Sequence, residues 1–427
     1  MKLAFVVQRY GTEILGGSEY HCRLIAERMA QRHQVEVLTT CARDYITWAN
    51  EYPAGADRVR GVTVRRFPNA RTRDIDSFNR FSDWIFGNPH SVGDEMEWLQ
   101  QQGPWCPALV DHLQAGQGSY DALIFFTYLY APTVLGLHVA PGKSILVPTA
   151  HDEAAIGLSI YRDVFALPAG IAYNTAAERR FLTTRFSIRA TAAETVGCGV
   201  DLPQHHAYPR VPRASRADRP EPGGEAPAPM EDAAGAHGQR SHITGRGATF
   251  RRRHRLHRPF LLYGGRIEKG KGCEELIEYF NTYVSEGGEA SLVLMGVKLM
   301  PLPEDPAIKF AGLLSEVERA QALEAASVVV VPSPYESLSL LALEAFSVGT
   351  PVLASARSEV LVDHCTQSNA GLFYADRWEF VEALNLLMRD ERLRAAMGRN
   401  GRDYVRQHYR WDVILAKYER MIGRIRA

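Results

Sequence analysis

The stretch Val328–Val352, VVVVPSPYESLSLLALEAFSVGTPV, narrows the possible folds more than any other part of the chain. Four consecutive valines make an apolar, β-branched run suited to a strand covered on both faces, as inside a parallel sheet. Pro332 and Pro334 stop that strand. Ser337–Ser339 supplies small hydroxyl residues where a helix can start, and Leu340–Phe346 is rich in the strong helix formers Leu and Ala. Gly349-Thr350-Pro351 ends the helix and returns the chain to a strand at Val352–Ala354. Strand, tight loop, helix and strand in that order set unpaired backbone N–H groups and a positive helix end beside a bound anion.

Two carboxylates punctuate the unit, Glu336 in the loop and Glu344 about one turn into the helix. A carboxylate is a poor neighbour for a diphosphate, so these acids need another partner. Sugar hydroxyls qualify, because an ionised carboxylate accepts two hydrogen bonds and grips adjacent hydroxyls. Spacing alone leaves open a solvated helix charge and an ordinary loop acid.

Upstream, Phe260–Tyr263 is a further buried strand, followed by Gly264-Gly265-Arg266-Ile267-Glu268-Lys269-Gly270-Lys271-Gly272. Glycines interleaved with basic side chains suit an anion site. The N-terminal half opens with a comparable βαβ unit. Lys2–Gln8 is a strand, Gly16-Gly17 a turn, and Ser18 caps a helix with Cys22, Ile25, Ala26 and Met29 at helical spacing. Val35–Thr39 follows as the next strand. A full G-x-G-x-x-G is missing and no acidic residue closes this strand, which disfavours a dehydrogenase. The run Ile145–Pro148 leads directly into Thr149-Ala150-His151, placing His151 beyond the carboxyl end of a strand, where ligands sit in open α/β sheets.

The motif Pro332, Ser333, Glu336, Leu340, Glu344, Ala345, Gly349, Pro351, Val352 resembles the signature of the retaining, nucleotide-sugar-dependent glycosyltransferases of family four. Gly264–Gly272 is similar to that family's G-R-x-x-x-x-K-G loop, and Val196–Asp201 to its interdomain N-G-V-D turn, with Cys198 in place of Asn. Ser337 and Ser339 stand where the family commonly has glycine. The resemblance covers roughly residues 2–201 and 260–427 and implies an α/β protein of the GT-B fold, two Rossmann-like domains facing across a cleft. It implies transfer of a sugar from a nucleoside diphosphate sugar to an acceptor hydroxyl with retention of configuration. In that reading Arg266 and Lys271 meet the diphosphate and Glu336 the donor sugar, with His151 close to it. Glu344 meets the ribose, and Gly16, Gly17, Gly265, Ser339 and Leu340 bring backbone to the nucleotide. The nucleotide sugar is a co-substrate, and no resident cofactor or metal is expected. A non-catalytic nucleotide-sugar-binding subunit and a GT-B epimerase or phosphorylase share these motifs.

At 427 residues the chain suits two domains plus extras. Expected boundaries are 1–201 for an acceptor-side domain, 202–259 for a linker, 260–410 for a nucleotide-binding domain and 411–427 for a C-terminal helix packing back on the first domain. Residues 202–259 are rich in Pro, Ala, Gly and Arg without apolar periodicity, and so read as a disordered insert. The aromatics Phe78, Phe81, Trp84, Phe86, Trp98 and Trp105 fall where the pattern loosens; they suit either stacking on an acceptor or a core beneath long connections. The acceptor is expected to be a sugar, a lipid-linked or a small-molecule hydroxyl. Formal net charge is zero, so no global field recruits nucleic acid. Scattered Cys22, Cys41, Cys106, Cys198, Cys273 and Cys365 with no C-x-x-C argue for reduced thiols in a cytoplasmic protein, with peripheral membrane contact as the weaker alternative.

Overall fold

The apolar runs pair into two separate sheets. The structure is a computed structural model and describes residues 1–14, 16–202 and 245–426. The first sheet holds β1 (Lys2–Val6), β2 (Gln34–Thr40), β3 (Gly55–Val59), β4 (Val62–Phe67), β5 (Ala122–Phe126), β6 (Ser144–Val147), β7 (Gly170–Tyr173) and β8 (Ala192–Thr195). Their order is β3-β4-β2-β1-β5-β6-β7-β8, parallel except for the antiparallel β3–β4 edge. The second holds β9 (Phe260–Ile267), β10 (Ser291–Lys298), β11 (Ile308–Gly312), β12 (Val328–Val331), β13 (Val352–Ser355) and β14 (Gly371–Tyr374). Its order is β11-β10-β9-β12-β13-β14, parallel throughout.

Helices cover both sheets. The first carries α1 (Gly17–Met29), α2 (Ile75–Gly87), α3 (Val92–Gln102), α4 (Pro107–Gly116), α5 (Ala131–Gly136), α6 (Tyr161–Ala166) and α7 (Ala176–Arg185). With the second come α8 (Gly245–Arg253), α9 (Cys273–Ser285), α10 (Glu316–Ala325), α11 (Leu340–Val348), α12 (Glu359–Ser368), α13 (Arg377–Arg389) and α14 (Glu391–His408). Finally α15 (Trp411–Arg426) lies against β7, β8 and α1 of the first unit. Two-sided cover explains the unbroken apolar runs, since successive side chains along a strand point to opposite faces. In β12, Val329 and Val331 join one core while Val328 and Val330 join another; in β1, Leu3 and Phe5 part in the same way from Ala4 and Val6. Among the described residues no helix is long and apolar enough to cross a membrane.

The aromatic-rich stretch after β4 folds into α2–α4. Phe78 and Trp98 are buried there, with the Trp98 indole donating to Ser82 Oγ at 2.9 Å, whereas Trp84 and Phe86 stay exposed.

One expectation is corrected. Residues 203–244 lie outside the described residues, but 245–259 do not continue a linker. They form α8 and a return that packs on α10, with Phe250 and Leu256 buried in the core. The Arg251 guanidinium lies 4.9 Å from the centre of the Phe260 ring and donates to the Arg258 and Ala325 carbonyls, each at 2.9 Å. Two apolar anchors within a basic run give no visible periodicity, yet a docked helix needs only those two. Truncating a buried phenylalanine typically costs about 3–5 kcal/mol. Phe250→Ala should therefore lower the unfolding free energy from urea titration by an amount in that range, shifting the midpoint down with an unchanged slope, and Phe250→Leu far less. Equal midpoints for Phe250→Ala and the wild type would show that α8 does not contribute to the fold.

Candidate active site

Neighbouring pairing of β9 and β12 brings two loops to one edge. The turn after β9 carries Lys271 and the loop after β12 carries Glu336, and Lys271 Nζ stands 3.1 Å from Glu336 Oε1. The same ammonium reaches Ser333 Oγ at 3.4 Å and the Tyr335 carbonyl at 3.5 Å. Lys269 points away, paired with Glu274 at 3.3 Å on a side chain that is 86% exposed. Arg266, near the end of β9, pairs with Glu268 at 3.2 Å and lies 5.4 Å from the Tyr45 ring of the first unit.

The start of α11 is held from three sides. Ser339 precedes it in a left-handed conformation, φ 58° and ψ 74°, which costs a serine about 1–2 kcal/mol more than a glycine. Its hydroxyl is buried and has no hydrogen-bond partner among the described residues. From Leu340 onward the first-turn N–H groups lack intrahelical acceptors. Behind the loop, buried His364 donates from Nε2 to the Leu338 carbonyl at 2.8 Å and accepts from the Tyr404 hydroxyl at 3.0 Å; burial holds its pKa down. From the first unit, the Thr175 hydroxyl donates to the Ser337 carbonyl at 3.2 Å.

The expected glycines divide by environment. Gly265 lies within β9 at φ +143°, and a Cβ on its partner Gly296 would meet the Gly265 carbonyl at 2.0 Å. Close backbone approach therefore demands glycine at 296, and the positive φ favours it at 265. A Cβ on Gly16 would meet the Glu19 carboxylate at 2.1 Å, while one on Gly17 would meet nothing within 4 Å.

Glu344 sits one turn into α11, pointing at α10. Its carboxylate accepts from Arg319 Nη2 at 2.6 Å, and that guanidinium also donates to Tyr20 of α1 at 2.6 Å. Burial raises the carboxyl's pKa, with Arg319 opposing the rise. Arg319 carries no motif, so nothing in its sequence context marks it.

His151 arrives from the other side. It follows Thr149, left-handed at φ 50°, and its ring stacks on Tyr335 at 5.4 Å and 29°. Its Nε2 lies 3.6 Å from Glu153, which accepts the Tyr128 hydroxyl at 2.6 Å. His151, Lys271 and Glu336 thus converge on one loop.

A wall of the first unit escaped sequence reasoning. The Tyr45 ring lies 5.3 Å from the Arg9 guanidinium as well as 5.4 Å from that of Arg266. Trp48 lies 5.3 Å from Arg73 and meets Tyr130 edge-on at 5.5 Å. Arg9 pairs with buried Glu19 at 2.7 Å, and despite burial pushing the carboxyl up this pairing holds its pKa below the usual value. These residues come from separate loops with no shared periodicity.

Two parallel, helix-covered sheets facing across this cleft make the GT-B glycosyltransferase fold. Residues 248–404, which carry Arg266, Lys271, Glu336 and Glu344, match the family described as glycosyl transferases group 1. Over 172 residues the chain is 28% identical to the sulfoquinovosyl transferase SQD2 of Arabidopsis thaliana, covering 38% of this chain and 32% of that one. It is 33% identical over 167 residues to the D-inositol 3-phosphate glycosyltransferase of Corynebacterium kroppenstedtii, covering 35% and 37%. The chain thus spans about a third of the length of these relatives. Among solved structures, sucrose-phosphate synthase of Thermosynechococcus elongatus superposes with a TM-score of 0.66 at 16% identity, over 99% of this chain and 98% of that one. HepE of Anabaena in complex with UDP and glucose superposes with a TM-score of 0.65, also at 16% identity and over 99% of each chain.

Removing one partner of this half-buried pair leaves the other short of a hydrogen bond, at up to about 1–3 kcal/mol. Arg319→Met should destabilise the protein by that amount, and adding Glu344→Gln should restore part of it. A double-mutant cycle by chemical unfolding checks this: additive effects would mean the pair contributes no coupling.

Proposed function

We propose that the protein transfers a sugar from a nucleoside diphosphate sugar to an acceptor hydroxyl with retention of configuration. The observation that carries this reading is the Lys271–Glu336 pair beside the buried, unpartnered Ser339 hydroxyl at the start of α11. A cation, a free hydroxyl and open helix N–H groups suit a diphosphate, and a carboxylate one step away suits sugar hydroxyls. Solved neighbours in complex with UDP and with UDP-glucose support a uridine nucleotide as donor.

Without ligand, Lys271 and Glu336 satisfy each other. A bound β-phosphate competes for the ammonium and frees Glu336 to accept from the donor sugar. In the reaction the bond from the sugar's anomeric carbon to the β-phosphate oxygen breaks, and a bond to the acceptor oxygen forms on the same face. The acceptor's proton passes to the departing phosphate oxygen. Negative charge grows on that phosphate, so Arg266 and Lys271 matter more in the transition state than in the bound ground state. His151 on Tyr335 closes the sugar side, and closure of the cleft excludes water. Glu344 takes the ribose hydroxyls, with Arg319 opposing the rise that burial gives its pKa. The Tyr45, Trp48 and Tyr130 wall receives the acceptor.

Removing one such donor from a preorganised site costs about 10²–10³ in turnover. Arg266→Ala and Lys271→Ala should each show that loss with UDP-glucose at saturation, whereas Lys269→Ala stays near wild type. Wild-type turnover in both alanine variants would reduce them to solvated loop charges. Calorimetric titration with UDP separates the two acids. Glu344→Ala should weaken UDP binding, while Glu336→Ala should leave it intact and lower turnover only. Equal weakening in both would abolish this division of labour.

A further inference from the structure

The carboxylate assigned to the ribose is held by a side chain that both units grip. Arg319 Nη2 carries two hydrogens and has two acceptors: Glu344 Oε1 on α11 and the Tyr20 hydroxyl oxygen on α1, each at 2.6 Å. Two acceptors on one nitrogen fix the plane of the guanidinium. An arginine left to itself loses much of the gain of an ion pair to the ordering of its long side chain. Tyr20 supplies that order from outside the second unit, and its ring centre lies 4.9 Å from the same guanidinium. Glu344 Oε2 accepts from no described residue, and the side chain is 15% exposed. One carboxylate oxygen is therefore held, and the other is left for hydroxyl donors.

The contact is built at matching spacing on two helices. One turn beyond Tyr20 on α1 stands Arg23, and one turn before Arg319 on α10 stands Glu316. These two pair at 2.9 Å, so each helix gives one turn to two bonds across the units. The Arg23 side chain is 3% exposed, and its guanidinium lies 5.2 Å from the centre of the Tyr20 ring. Tyr20 is thus set in place before it meets Arg319.

We propose that Tyr20 is a positioning residue for the nucleotide. Its hydroxyl holds Arg319 in the orientation that presents Glu344 to the ribose, so recognition of the ribose hydroxyls is complete only while α1 lies against α10. This role rests on Glu344 meeting the ribose. It makes the first unit part of nucleotide recognition through a residue that does not touch the nucleotide. A bond that merely joined the units would act on every nucleotide alike, whereas one that orients Glu344 acts on the ribose hydroxyls.

Calorimetric titration of the full chain with UDP and with 2′-deoxy-UDP separates the two. A hydrogen bond to a charged group sets the expected wild-type preference for UDP at about 10- to 100-fold. Tyr20→Phe, which keeps the ring and its packing, should reduce that preference about 3- to 10-fold, by weakening UDP and sparing 2′-deoxy-UDP. Arg319→Lys retains the charge but loses the planar fork, and should reduce the preference as well. Glu344→Ala should abolish it, and adding Tyr20→Phe to Glu344→Ala or to Arg319→Met should change it no further. An unchanged preference in Tyr20→Phe, or equal weakening of both nucleotides, would overturn the role of Tyr20. If Glu344→Ala still abolished the preference, the ribose reading would stand without it. A wild type that binds both nucleotides equally, with no change in Glu344→Ala, would refute the ribose reading and the role of Tyr20 together.

Discussion

Parallel pairing of β9 with β12 is the constraint on which the site depends. Val328 and Val329 lie opposite Leu261 and Leu262, in the middle of a sheet covered on both faces. Neither strand can slip by one residue without exchanging the side chains of two cores. Register fixes where each strand ends, and with it the positions of the two loops. The 3.1 Å contact between Lys271 and Glu336, 65 residues apart, is a consequence of strand register.

What those loops hold is poised between structure and function. Lys271 and Glu336 are 28% and 17% exposed, dry enough for charge to matter and wet enough to exchange partners. A fully buried pair would lose several kcal/mol of hydration per ion and resist opening to a ligand. Fully exposed pairs contribute about 0–1 kcal/mol and would not preorganise anything. Left-handed Ser339 fits the same pattern. A glycine would relieve the backbone, whereas serine adds a buried hydroxyl without a partner among the described residues.

Most of the second unit was legible in the sequence because its chemistry is local. Four valines, a proline pair and the spacing from Glu336 to Glu344 sit within one short unit, so pattern and motif coincide. The rest was hidden because it is made by distance. Arg319 reaches Glu344 from another helix, Tyr45 meets Arg266, and Trp48 meets Tyr130, all from segments with no common period. Gly265 was read as a ligand contact, yet its φ of +143° supplies a structural reason for the same residue. The edge strand β3, GADRV, is exposed and nearly without apolar residues, so no burial pattern announced it. At α8 composition misled: a basic, proline-adjacent run docks through two apolar side chains that no average registers.

The contacts joining the two units are of unequal strength. Arg60–Glu316 at 3.2 Å and Arg180–Asp363 at 2.8 Å both involve solvent-exposed groups, and Arg23 reaches the same Glu316 at 2.9 Å. Each such pair contributes about 0–1 kcal/mol, too little to lock the units together. Permanent attachment comes from elsewhere. Residues Ile414, Tyr418 and Ile422 of α15 share one continuous core with Cys22 of α1 and Cys198 of the interdomain turn, while Asp201 accepts from the Trp411 indole at 2.8 Å. Buried apolar side chains contribute about 1.5–3 kcal/mol apiece, so a few of them outweigh every exposed ion pair across the cleft. Weak polar contacts at the mouth and a firm apolar anchor behind it leave the units held together mainly at α15.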